Sequence, residues 1–171
     1  VTLAASAFGF SDAADSPANL FLSTKIVTLP AAGALTLNGA SVAAGDFVSR
    51  SDLDAGRLVF TPALNAHGAS YASFTFAVRD DGGTASGGVD LDPTPNRLTF
   101  DVTSVNDAPS GADFSMTTLE DTSVTLAASD FGFSDAADVP ANLFLSTKIV
   151  TLPLAGNLTL NGESVAAGDF V

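Results

Sequence analysis

Hydrophobic and polar positions alternate along this chain with a period of two. In YASFTFAVR, Phe74, Phe76 and Val78 share one face, while Ser73, Thr75 and Arg79 share the other. In RLTFDVTS, Leu98, Phe100 and Val102 point inward against Arg97, Thr99, Asp101 and Thr103. The same period places Leu22, Thr24 and Ile26 of LFLSTKIVTL on one face and Ser23 and Lys25 on the other, so Lys25 is expected in solvent. VTLAA, ALTLN, RLVFT and FSMTT are similar short runs, each bounded by Gly, Pro, Asn or Asp. Only SRSDLDAG, residues 49–56, reads as helical, and for one turn. Short alternating strands between turn signals predict an all-β protein: an antiparallel sandwich with Greek-key connections.

Sliding the chain against itself shows a tandem repeat. Val1–Val48 returns as Val124–Val171, a shift of 123 residues with 43 of 48 positions identical. The differences are Ala7 to Asp130, Ser16 to Val139, Ala31 to Leu154, Ala34 to Asn157 and Ala40 to Glu163. Val105-Asn106-Asp107-Ala108-Pro109 separates a finished strand from a fresh one, which sets a domain boundary at about Asn106. Residues 1–105 then form a repeat without its first strand, whose counterpart is FSMTTLED at 114–121. Residues 106–171 form the N-terminal part of the next repeat, without the segments equivalent to 49–105. Such a chain reads as an excerpt of a longer array, or as one whose neighbours exchange strands.

Composition narrows the chemistry. The 171 residues carry 19 acidic and 6 basic side chains, a net charge of −13. With no Lys/Arg cluster to displace counterions, neither nucleic acid nor an anionic membrane surface is an expected partner. Ile26–Gly45 is free of charge over the length of a membrane span, but Pro30, Gly33, Asn38 and Gly39 interrupt it; strand, turn and strand are expected there, not membrane insertion. No positively charged leader opens the chain at Val1. Without Cys, and with His67 alone, thiolate chemistry and zinc centres are not expected. The acidic residues are 17 Asp and 2 Glu, a bias toward turns and oxygen-coordinated cations rather than helices.

The run GALTLNGASVAAGDFV, and then DLDAGRLVFTPALNAHGASYASFTFAVRDDGGTASGGVDLDPTPNRLTFDVTSVNDAP, resembles the cadherin-like repeats found in tandem in very large bacterial surface adhesins of the RTX and VCBS type. The resemblance covers nearly the whole chain and rests on the combination of VNDAP linker, LED start, FSDAAD loop and RDDGG turn. It implies immunoglobulin/cadherin-like sandwich repeats and a secreted or cell-surface protein exported by a type I system. It further implies a role in cell adhesion and biofilm formation, with the repeats forming an extended stalk that binds calcium at its junctions.

Calcium takes six to eight hard oxygen ligands from carboxylates, carbonyls, Asn side chains and water. The resemblance implies that these come from the end of one domain, the linker and the start of the next. The candidates are Asp101 at the end of the last strand, Asn106 and Asp107 in the linker, Glu120 and Asp121 at the turn after FSMTT, and Asp130, Asp135 and Asp138 in and before FSDAAD. Asp80 and Asp81, before Gly82-Gly83, complete a site from the preceding domain. The first-copy loop holds Asp12 and Asp15 but is preceded by no linker or Glu-Asp pair and has Ala7 for Asp130, so it is expected to bind calcium poorly. The competing reading makes each Asp a cap for its own turn and a source of solubility. Asp46, Asp52, Asp54 and Asp169 are read that way, and Asp90 and Asp92 are left open.

Catalysis is not expected, because no nucleophile elbow surrounds any Ser and His67 lies in the turn NAHGAS. A covalent Lys–Asn cross-link at Lys25 or Lys148 is disfavoured by the outward position of the lysines. The expected function is a non-enzymatic, calcium-stabilised stalk repeat, with the adjacent repeats of the same chain as its partners. Two alternatives stand beside it. One is a lectin-like or surface-ligand module, which the absence of Trp and the single Tyr71 disfavour. The other is strand-swapped assembly with neighbouring chains.

Overall fold

The computed structural model describes all 171 residues, Val1–Val171. They form two compact units, Val1–Ser104 and Val105–Val171. No helix is long and apolar enough to cross a membrane.

Unit 1 is built from β1 (Phe21–Ile26), β2 (Ala34–Leu37), β3 (Ala40–Ser41), β4 (Phe47–Ser49), α1 (Arg50–Asp54), β5 (Leu58–Thr61), β6 (Gly68–Asp80) and β7 (Asn96–Val102). One sheet has the order β4-β1-β6-β7 and the other β3-β2-β5, every pairing antiparallel. The uncharged run 26–45 is strand, turn and strand, as its Pro and Gly residues predict. VTLAA adds less than a full strand. It bridges β5 at Thr2, with Leu3 N–H donating to the Leu58 carbonyl and Phe60 N–H to Val1, before turning into a 3₁₀ segment over Ala5–Phe8.

The alternating faces meet between the sheets. Phe60 of β5 stacks on Phe100 of β7 with centroids 3.8 Å apart and rings 5° from parallel, and Phe100 stacks in turn on Phe74 of β6. Phe8 meets Phe76 edge-on at 4.9 Å, which draws the N-terminal segment onto β6. Gly33 permits the tight turn beneath this stack. Its φ is +75°, and a Cβ there would lie 2.7 Å from the Phe60 ring and the Thr61 carbonyl.

Simple alternation fails at one place, where a register shift between Phe21 and Ser23 interrupts the β1–β6 ladder. The irregularity turns Phe21 and Ser23 inward and leaves Leu22 44% exposed, although Thr24 and Ile26 are buried as predicted. Lys25 keeps its outward place, its Nζ lying 5.7 Å above the exposed Phe47 ring, and Arg79 covers the same ring.

The predicted single helical turn is α1. Ser49 caps it, accepting from Asp52 N–H at 3.1 Å while its hydroxyl donates to Asp52 Oδ2 at 2.6 Å. That hydroxyl, and then Arg57 at 2.9 Å, hold the Asp52 carboxyl below its usual range.

Unit 2 holds counterparts of residues 1–48. Its strands are β8 (Thr159–Leu160) and β9 (Glu163–Ser164), the equivalents of β2 and β3. The expected strand at 114–121 does not form: only Ser110 of the preceding stretch makes a bridge, to Ser134, and Phe114, Met116 and Leu119 are exposed. A strand is stable only against a partner ladder and a covered face, and unit 2 offers this segment neither. Among the unit's apolar side chains only Val165 is buried, alongside a partly open cluster of Phe114, Phe131, Phe133 and Phe144.

Two outcomes test this account of unit 1. Phe60→Ala costs about 3–5 kcal/mol in chemical denaturation, whereas Leu64→Ala, at a side chain 91% exposed, changes stability by less than about 0.5 kcal/mol. Ser49→Ala destabilises unit 1, and its cost shrinks in acid. A depressed native pKa at Asp52 contributes stability above the unfolded value and loses it as pH falls through the native one. The remainder, due to the lost Asp52 N–H cap, persists; melting curves at neutral and acid pH separate the two.

Candidate cation site in the Asp-x-x-Asp loop

Asp135 and Asp138 lie in the loop that leads from the 3₁₀ turn Ala128–Phe131 toward the strand-like segment 143–149. Asp residues suit such a bend because their short carboxylates accept bonds from nearby backbone. Asp135 Oδ2 accepts from Asn142 N–H at 2.6 Å, and Asp138 Oδ2 accepts from Asn142 Nδ2 at 2.8 Å. One asparagine thereby spans both carboxylates.

The linker residues close over this pair. Asp107 N–H donates to Asp138 Oδ1 at 2.9 Å, and Asn106 Oδ1 accepts from Asn142 Nδ2 at 2.9 Å. Asp135 and Asp138 are each only 6% exposed. Neither forms an ion pair, since the salt bridges of the protein are Arg50–Asp54, Arg57–Asp52 and Arg79–Asp90. Asp135 Oδ1 is buried with no hydrogen-bond partner. Burying a carboxylate oxygen without donor or cation is costly, and a cation is the strongest compensation available to it.

The first-copy loop repeats the inner half of the arrangement. Asn19 N–H donates to Asp12 Oδ2 at 2.6 Å, and Asn19 Nδ2 to Asp15 Oδ2 at 2.8 Å. The shared sequence DAADxPAN buries both carboxylates in unit 2, while in unit 1 Asp12 is half-buried and Asp15 exposed.

Of the sequence candidates, Asn106, Asp107, Asp135 and Asp138 meet in this network. The others are placed apart from it. Asp130 Oδ2 accepts from Ala127 N–H at 2.7 Å and caps its own 3₁₀ turn. The carboxylates of Glu120 and Asp121 are exposed and accept no hydrogen bond, and Asp121 takes a left-handed φ of 61° in a turn. Asp101 Oδ1 accepts from Ser70 N–H at 2.6 Å, joining β7 to the start of β6. Asp80 Oδ1 closes a turn with Gly82 N–H. Asp81 Oδ1 accepts from Leu20 N–H at 2.7 Å, so it buttresses the loop of its own unit. No three carboxylate or His side chains converge as a group; the Asp135–Asp138 environment instead mixes two carboxylates with amide and backbone groups. Asp90 is nine-tenths buried because Arg79 grips Oδ2 through Nε and Nη2 at 2.9 and 2.7 Å, and Asp92 accepts from Thr94 N–H and Asn96 Nδ2.

Asn142 is the member that the charge pattern does not reveal. The repeat contains its signal, because the spacing Asp-x-x-Asp-x-x-x-Asn recurs as 12-15-19 and 135-138-142. In comparisons with known proteins, the chain matches no family model, no curated protein and no solved structure.

Asn142→Ala removes the bridge between the carboxylates. Amide exchange at Asp107, whose N–H rests on Asp138, is expected to accelerate in that variant, while exchange in β6 of unit 1 stays unchanged; equal acceleration at both places would refute the bridging role.

Proposed function

We propose that the protein is a segment of the stalk of an extracellular bacterial adhesin, built from cadherin-like Greek-key repeats stiffened by calcium, without enzymatic activity. The observation that carries this reading is the buried pair Asp135 and Asp138, which no Lys or Arg side chain pairs with, together with the orphaned Asp135 Oδ1. The donor set is hard oxygen throughout: two carboxylates and the Asn106 amide oxygen, with the Asp107 backbone N–H resting on Asp138. It contains neither thiolate nor imidazole, which favours calcium over zinc or copper.

Bound calcium would neutralise the two carboxylates and hold the linker residues Asn106 and Asp107 to the loop. A segment that bends freely when the carboxylates repel one another becomes a strut when an ion ties them. Extracellular calcium modules bind with Kd of about 10⁻⁴–10⁻³ M, so such a site fills outside the cell and empties in the cytosol.

Calcium at tenfold its Kd stabilises the folded state by about 1.4 kcal/mol. The melting midpoint of unit 2 is therefore expected to rise between EDTA and 10 mM calcium. Asp135→Ala and Asp138→Ala abolish the rise, and Asp12→Ala and Asp15→Ala leave it intact. A parent protein indifferent to calcium would return these residues to turn chemistry.

A further inference from the structure

The dipeptide Asn-Gly closes the β2–β3 hairpin as Asn38-Gly39 and returns in the β8–β9 hairpin as Asn161-Gly162. The strands leave only these two residues for the turn, since Leu37 lies opposite Ala40 and Leu160 opposite Glu163. Both residues of each turn have positive φ, 52° and 80° in the first and 51° and 88° in the second, as a two-residue loop between twisted strands demands. All four are exposed, neither glycine N–H donates a hydrogen bond, and the place a Cβ would take on either glycine is open. The remaining asparagines precede Leu, Ala, Arg or Asp. Asn65 is the informative one among them. It is also exposed and has φ 57°, but the next residue, Ala66, carries a methyl group and its N–H donates to the Ala63 carbonyl.

From these features we infer that Asn38-Gly39, and its repeat Asn161-Gly162, are sites of spontaneous covalent modification in the folded protein: the asparagine deamidates through a cyclic imide, with water as the only co-reactant. The free Gly39 nitrogen, once it has given up its proton to hydroxide, adds to Asn38 Cγ. The bond from Cγ to the side-chain nitrogen breaks, and that nitrogen leaves as ammonia after taking a proton from water. The product is a five-membered succinimide. Water then opens the ring at one carbonyl to give Asp, or at the other to give isoaspartate, whose main chain runs through the former side chain. Glycine at 39 leaves the attacking nitrogen unshielded and lets the peptide plane rotate toward Cγ, which the methyl group and hydrogen bond of Ala66 oppose at Asn65. The change matters to its surroundings. Asn38 N–H donates to the Arg57 carbonyl at 3.1 Å. After Ser49 and Arg57, the Asn38 amide helps to hold the Asp52 carboxyl low, so a carboxylate at 38 sets like charge beside the cap of α1. Isoaspartate lengthens a two-residue turn by one backbone carbon, which disturbs the register of Thr36 with Ser41.

The test is incubation of the whole folded protein in neutral and in mildly alkaline buffer, followed by digestion and mass spectrometry. The peptides holding Asn38 and Asn161 are expected to gain the mass difference between a hydroxyl and an amino group, faster at the higher pH. Each should appear as two products of equal mass that separate by chromatography, while the Asn65 peptide lags behind. In the Asn38→Asp/Asn161→Asp variant ammonia release from these turns is lost. No mass gain at the two turns while the protein stays folded, gain only in urea, or gain at Asn65 at the same rate would each overturn the assignment.

Discussion

The antiparallel pairing of β1 with β6 joins segments distant in sequence, and most of unit 1 is arranged around it. β6 presents Phe74 and Phe76 to the core on one face and carries β7 on its other edge, so Phe100 reaches the Phe60 ring across the sheets. β1 carries β4 on its free edge, and β4 runs directly into α1. In unit 2 β8 and β9 form and local aromatic contacts form, and among its apolar side chains only Val165 is buried. Turn hydrogen bonds are short-range, whereas the core of unit 1 depends on the non-local pairing of β1 with β6.

A second constraint is electrostatic. A chain of net charge −13 has few cations to distribute, and it places them at Asp52, Asp54 and Asp90 rather than at the most buried carboxylates. Asp90 is buried with Arg79 and its charge is matched. Asp135 and Asp138 are buried with amides alone, whose dipoles compensate a full charge only in part. Beyond the bonds that both copies of the loop make to their own asparagine, the unit 2 loop is held by Asn106 and Asp107.

The strands were legible because period-two alternation depends on burial of one face, and β1, β2, β5, β6 and β7 all bury one. Leu22 escaped that logic, as a register irregularity is a backbone event that side-chain alternation does not encode. The strand read at 114–121 failed for the converse reason: FSMTT has the pattern of a strand but no ladder to join. At the loop, charge and position pointed to Asp135 and Asp138, yet charge says nothing of Asn142, whose amide spans them. Nor does sequence separate Asp81, a support for Leu20, from a ligand; both uses call for a carboxylate in a turn.

Asn19 and Leu20 are adjacent, so the first-copy loop runs straight into β1. In unit 1 the end of β6 reaches this point: Asp81 accepts from Leu20, and a Cβ on Gly82 would fall 2.5 Å from Asn19 Nδ2. Glycine at 82 is thus what lets the strand end lie against the asparagine that holds Asp12 and Asp15.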